Sequence, residues 1–290
     1  MESKYCSKEC QTLNWRDHKG LCLQIKAELE AREKRKQLGE ALYYASLRGD
    51  LPEVRRLLAL GADARYELEE GETKGYFPLF AASGRGHVDV IEALVAGGAD
   101  PNQVGGEISA SSLHIAAQHT HPRAIAALVR AGADVNLVTS NGVTPLGFAA
   151  SMGHREALVA LLVARAAVNI ADHKGFSPLY IAAQKGHVDI LKLLIKAKGD
   201  VNQVTKEGEV SPLMVASMKG FVEVVELLLS NGADVHLKDN KGRTALDTAI
   251  EYKHPAIEAV LRAHIAKIEA EAEAAGSEAE AQAAAVDGGK

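Results

Sequence analysis

The sequence predicts an all-α solenoid of helix-turn-helix units, and three observations predict it. One motif recurs: the position of Pro78 returns as Ser112, Pro145, Pro178, Pro212 and Ala245, at steps of 34, 33, 33, 34 and 33 residues. Within each unit apolar residues fall at helical spacing, as at Val188, Ile190, Leu191, Leu194 and Ile195, which gives a helix one face to bury. Aromatic residues make up 4% of a chain that is 47% hydrophobic, so Ala and Leu pad the core in place of the rings usual in a globular enzyme.

The unit is plain when its copies are set side by side: "FPLFAASGRGHVDVIEALVAGGADPN" from Phe77, "TPLGFAASMGHREALVALLVARAAVN" from Thr144 and "SPLYIAAQKGHVDILKLLIKAKGDVN" from Ser177. Each piece has a physical task. Proline fits the first turn of a helix because its missing N–H would be unpaired there. An Ala-Ala pair such as Ala149-Ala150 lets neighbouring helices approach. The pairs Gly86-His87, Gly153-His154 and Gly186-His187 turn the chain between two helices. Gly98, Gly132 and Gly232 end the second helix where a left-handed residue is needed. At that position two adjacent units carry Arg165 and Lys198, which predicts strain between about residues 160 and 205. One unit cannot bury its apolar face alone, whereas stacked units can.

The period and these letters resemble the ankyrin repeat, whose pattern is T-P-L-H-x-A-A followed by G-H and G-A-D-x-N. The resemblance runs from about Gly39 to Lys267, in seven units beginning near Gly39, Gly75, Ile108, Asn141, Lys174, Glu207 and Lys241. The first unit lacks T-P-L-H but keeps Gly61-Ala62-Asp63, and the last trades the terminal glycine motif for a longer helix through Ile265 and Ile268. Both are expected to be end caps with a wetter outer face. The expected organisation is a finger-like segment at 1–23, a charged helical connector at 24–38, the repeat array at 39–268 and an acidic, Ala-rich disordered tail at 269–290.

All three cysteines and the single tryptophan lie in "YCSKECQTLNWRDHKGLC", residues 5–22. Clustered cysteines without an export signal point to metal before disulfides. Cys6 and Cys10 are four apart, as are His18 and Cys22, so on helical turns each pair could grip one ion from one side. The string resembles the second half of a MYND-type zinc finger, on whose pattern fall Tyr5, Cys6, Ser7, Cys10, Gln11, Trp15, His18, Lys19 and Cys22. The resemblance implies zinc as cofactor. A whole finger of that family has two C-x-x-C pairs ahead of this stretch, so by resemblance Cys6 and Cys10 are half of one site, and His18 and Cys22 half of another. The site is therefore expected to be incomplete in this chain. Three readings follow: a missing half encoded upstream, an inert helical cap on the repeats, or four survivors converging on a single zinc.

Lys plus Arg total 33 against 38 Asp plus Glu, a formal net charge of −5, which argues against direct nucleic-acid binding or affinity for anionic lipid. No apolar run approaches the roughly 18 residues of a membrane helix, and MESKYCSKEC lacks the order of a signal peptide. The expectation is a monomer of the cytoplasm, the nucleus or both. G-x-S-x-G, H-E-x-x-H, P-loop and EF-hand strings are absent, and no catalytic residue is assigned. His87, His154 and His187 occupy the interhelix turn and His114 the T-P-L-H position, which gives them structural work.

Together these point to a non-enzymatic adaptor that binds a partner protein through its hairpin tips and concave helix face. The MYND resemblance adds a second interaction module, often one for proline-rich peptides. The alternative is a fragment of a larger MYND-containing enzyme, methyltransferase-like, although nothing here resembles a SET domain. In ankyrin proteins the residue two before the motif proline generally faces solvent; here it reads Tyr76, Ala110, Val143, Phe176, Val210 and Arg243. Met152, Met218 and Tyr252 stand at a second outward position, with Gln118, Gln184 and Lys185 between them. The expected partner-binding set is Tyr76, Val143, Met152, Phe176, Gln184, Lys185, Val210, Met218 and Tyr252, with Tyr76 and Phe176 as anchors.

Overall fold

The computed structural model describes residues 15–71 and 73–287, and the chain divides into two compact units after Asp134. The first unit contains α1 (Trp15–Arg48), α2 (Leu51–Ala59), α3 (Pro78–Arg85), α4 (Val88–Ala96), the strands β1 (Val104–Gly105) and β2 (Ala110–Ser111), α5 (Ser112–Gln118) and α6 (Pro122–Arg130). The last turns of α1 serve as the first helix of the first repeat, so connector and repeat are one continuous helix. In the first unit α3 packs between α1 and α5, while α4 packs between α2 and α6. The two strands form an antiparallel hairpin with Val104 opposite Ser111 and Gly105 opposite Ala110.

The core of this unit follows the apolar stripe. Val90, Ile91 and Leu94 on α4, and Ala124, Ile125 and Leu128 on α6, are fully buried, at the i, i+1, i+4 spacing that makes one helix face. Each buried Leu or Ile contributes about 1.5–3 kcal/mol. Where α1 meets the loop after α2, Tyr43, Tyr66, Leu68 and Ala81 form a small aromatic cluster. Gly39 lies inside α1 because the Tyr66 ring rests on it: a Cβ there would stand 2.1 Å from Tyr66 Cγ. Ion pairs from Lys36 to Glu70 (3.2 Å) and Arg32 to Glu69 (4.0 Å) tie the same loop to α1.

The second unit contains α7 (Pro145–Met152), α8 (Arg155–Val163), α9 (Pro178–Lys185), α10 (Val188–Lys196), α11 (Pro212–Lys219), α12 (Val222–Ser230), α13 (Ala245–Glu251) and α14 (Pro255–Asp287). Its odd-numbered helices form one layer and its even-numbered helices the other. Prolines open α7, α9 and α11, and the hydroxyls of Thr144, Ser177 and Ser211 accept from the backbone N–H of Gly147, Tyr180 and Met214. Helical backbone continues to Asp287 through the stretch read as a disordered tail. Ala, Glu and Gln are good helix formers on intrinsic propensity.

Helix ends carry the connection from repeat to repeat. Gly98, Gly132 and Gly232 have φ of 94°, 92° and 83°, and Arg165 and Lys198 adopt the same left-handed region at 64° and 69°. The left-handed residues Thr120 (59°) and Lys253 (61°) stand where other repeats have the glycine of Gly-His. The asparagine of each G-A-D-x-N motif bridges forward. Asn102 accepts from the Asp134 N–H (2.7 Å) and donates to the Gly132 carbonyl (3.1 Å); Asn202 does the same with Asp234 and Gly232 at 2.8 and 3.1 Å. These bonds satisfy backbone groups that the helix end would leave unpaired.

Candidate functional site

The surface a partner would meet is assembled from hairpins and first-helix ends. In the second unit each hairpin is closed by the residue two before the motif proline: the carbonyls of Val143, Phe176, Val210 and Arg243 accept from Thr139, Asp172, Thr205 and Asp239 at 2.9–3.1 Å. Successive tips are joined by single bonds, His173 N–H to the Asn141 carbonyl, Lys206 to Lys174 and Asn240 to Gly208, each 3.0 Å. In the first unit Tyr76 closes its hairpin by accepting from Leu68 at 2.9 Å.

The expected partner-binding residues divide by exposure. Tyr76, Val143, Phe176 and Val210 are half-buried and Ala110 is buried, so the tips do not present a fully exposed apolar row. The cause is local. Tyr76 stacks on Phe80 with ring centroids 4.6 Å apart, and Phe176 stacks on Tyr180 at 4.9 Å and 11°. Burial pushes the Tyr180 phenol up to about 12. Ala110 is held inside the β1–β2 hairpin. The first-helix ends are different: Met152 is 50% exposed and Tyr252 45%, Lys185 is exposed, and Gln184 and Met218 are half-buried.

The histidines at the interhelix turn do structural work. His87 Nε2 lies 3.3 Å from the Leu47 carbonyl and His121 Nε2 3.1 Å from that of Gly84. His187 and His254 reach the Ser151 and Met218 carbonyls at 3.2 and 3.1 Å. A carbonyl only accepts, so Nε2 carries the proton in each. His114 is fully buried, and its Nδ1 accepts from the Ser111 N–H at 3.2 Å.

One buried charge cluster caps the last hairpin. Asp239 accepts from the N–H groups of Lys241 and Arg243 (2.9 Å each) and from Arg243 Nη2 at 2.7 Å. Burial pushes the Asp239 carboxyl up, but the Arg243 guanidinium and the two N–H groups outweigh it and hold the acid below the usual carboxylate range. Arg243 also pairs with Glu251.

Of the four expected zinc ligands, Cys6 and Cys10 lie outside the described residues. His18 and Cys22 occupy i and i+4 of α1, and Cys22 is half-buried. Among the described residues no group of three or more His, Cys, Asp or Glu could hold a metal. One nitrogen and one sulfur donor suit zinc in kind, but a closed structural site takes four ligands.

Sequence reasoning missed a cleft of about 720 Å³ in the first unit, lined by Tyr43, Tyr76, Phe80, Ala81, Gly84, Arg85 and Ile115 among others. Its signal was available: α3 has Ala81 and Gly84 where α5 has Ile115 and Gln118.

The ankyrin repeats model (three copies) matches residues 113–205 and 198–272, more than half of the chain. A single-repeat model matches residues 74–105, and a MYND finger model matches residues 1–22. The chain belongs to the ankyrin-repeat family. A solved structure, the ankyrin repeat domain of Bcl-3, titled a unique member of the IkappaB protein family, superposes with a TM-score of 0.67 at 27% identity, over 77% of this chain and 97% of that one. No curated protein sequence matches. Family and fold support a protein-interaction role. Among the described residues no helix is long and apolar enough to cross a membrane.

Proposed function

We propose that this chain is a non-enzymatic adaptor of the cytoplasm or nucleus, a monomer whose repeat array holds a partner protein. In this reading the exposed first-helix ends make primary contact, and the half-buried tips of Tyr76, Val143, Phe176 and Val210 complete the surface. The observation that carries it is the exposure of large side chains, Met152 at 50% and Tyr252 at 45%, at a register where the fold does not need them. Cys6, Cys10, His18 and Cys22 are the candidate ligands of the MYND-like stretch, and zinc bound there would make it a second contact module.

The test places a photo-crosslinking amino acid at Met152, at Tyr252 and, as control, at Val163, which is 79% exposed at the end of α8. Irradiation in cells should give discrete protein adducts from Met152 and Tyr252 and not from Val163. Equal labelling at all three positions would contradict the assignment of the face.

A further inference from the structure

We propose that the first unit carries a notch on its first-helix layer that receives one large apolar side chain from an acidic segment of a partner protein. The inference deepens the interaction reading above and rests on it. At matched register α5, α9 and α11 present Ile115 and Gln118, Ile181 and Gln184, and Val215 and Met218, whereas α3 presents Ala81 and Gly84. The missing side chains leave the cleft of about 720 Å³ between α1 and α5, a size that suits a side chain with its flanking backbone. Tyr43 and the stacked pair of Tyr76 and Phe80 wall one side, and Ile115 the other. Tyr43 and Phe80 are 4% and 7% exposed, so the aromatic wall is fixed before any ligand arrives, and preorganisation favours binding.

Charge fixes the partner's chemistry. Lys74 and Arg85 line the notch, and Glu107 is its single acidic lining residue. Arg48 and Arg85 hold one register position on α1 and α3, which sets two cations on this layer. Arg48, Lys74 and Arg85 are exposed, and no ion pair among the described residues neutralises any of them. An acidic segment meets unpaired cations here, and a basic one meets repulsion.

Gly84→Gln fills the notch with the residue α5 carries as Gln118. The nearest atom to an added Cβ is Ile115 Cγ1 at 3.1 Å, so Ile115 has to shift by a few tenths of an ångström, and the melting temperature of the variant is measured beside its affinity. A random-peptide phage library is selected on the full chain, and enriched peptides are resynthesised and titrated by fluorescence anisotropy. The expected consensus is a Leu, Met or aromatic residue flanked by Asp or Glu, bound at least about tenfold more weakly by Gly84→Gln. Arg85→Glu, on the exposed rim, should weaken binding similarly and restore it for peptides with Lys flanks. Basic consensus flanks, equal affinity for Gly84→Gln, or no enrichment overturns the notch. Crosslinks at Met152 that persist alongside such a failure confine it to the notch, and their loss as well removes the interaction reading.

Discussion

Arg165 and Lys198 offer a measurement of what backbone strain costs in this array. Both are left-handed, at φ of 64° and 69°, and both side chains are exposed. A left-handed L-residue costs roughly 1–2 kcal/mol, and glycine gives back about 0.5–1 kcal/mol of that through its extra unfolded-state freedom. Arg165→Gly or Lys198→Gly should therefore stabilise by about 0.5–1 kcal/mol each, raising the melting temperature by about 1–4 °C. Amide exchange reads the effect locally. The N–H of Ala166 donates to Leu161 at 3.0 Å and that of Gly199 to Leu194 at 2.8 Å, and both should exchange about two- to fivefold more slowly. The reciprocal change is the control. At Gly132 and Gly232 an added Cβ would meet nothing within 4 Å, so only φ selects glycine there, and Gly232→Lys should cost about what Lys198→Gly gains. Unchanged exchange in the glycine variants together with an unchanged melting temperature for Gly232→Lys would refute the argument.

Three further outcomes are expected. Elemental analysis of the purified chain should find at most one zinc per monomer, because four candidate ligands, Cys6, Cys10, His18 and Cys22, are too few for two closed four-ligand sites, and Cys10→Ala should release any ion held with the repeats still folded; two tightly held ions would contradict this. Asp239 titrates below its unfolded value of roughly 3.9, so its contribution is full above that pH and is lost as pH falls through the folded value. Asp239→Asn should accordingly melt lower at neutral pH, with the gap to wild type closing as pH falls below the usual carboxylate range, and a pH-independent gap would assign the loss to packing. Gly39→Ala should destabilise the first unit by about 1–3 kcal/mol through collision with Tyr66; if Gly39→Ala/Tyr66→Leu does not recover most of that loss in urea melts, the ring is not the cause.

The array was legible because its information is periodic and local. Proline at helix starts, glycine at left-handed ends and the Val188-to-Ile195 stripe each state one requirement several times over, and even the exceptions at Arg165 and Lys198 could be read by position. Thr120 and Lys253 could have been read the same way, since each replaces the glycine of a Gly-His turn. What periodicity does not convey is the contact between different side chains. The rings of Tyr76 and Phe176 fold down onto Phe80 and Tyr180, which removes much of the exposed ladder that spacing alone implies. The notch is subtler still: it consists of side chains that α3 lacks, and an absence becomes visible only when neighbouring helices stand on either side of it. The finger stretch is specific as a pattern of residue types, yet its geometry depends on ligands meeting in space, and Cys6 and Cys10 fall outside the described residues.

Partner binding, in the function proposed above, resides in exposed side chains that the fold can spare. Phe176→Asp is a poor probe of it, because loss of the stack on Tyr180 mixes stability with binding. Isothermal titration of the partner identified by crosslinking, against the intact chain and against Met152→Glu/Tyr252→Glu, separates the two. The double variant should keep its melting temperature and bind at least about tenfold more weakly, a loss of about 1.4 kcal/mol. Unaltered affinity in the folded variant, or weakening that appears only when the array itself unfolds, would contradict it.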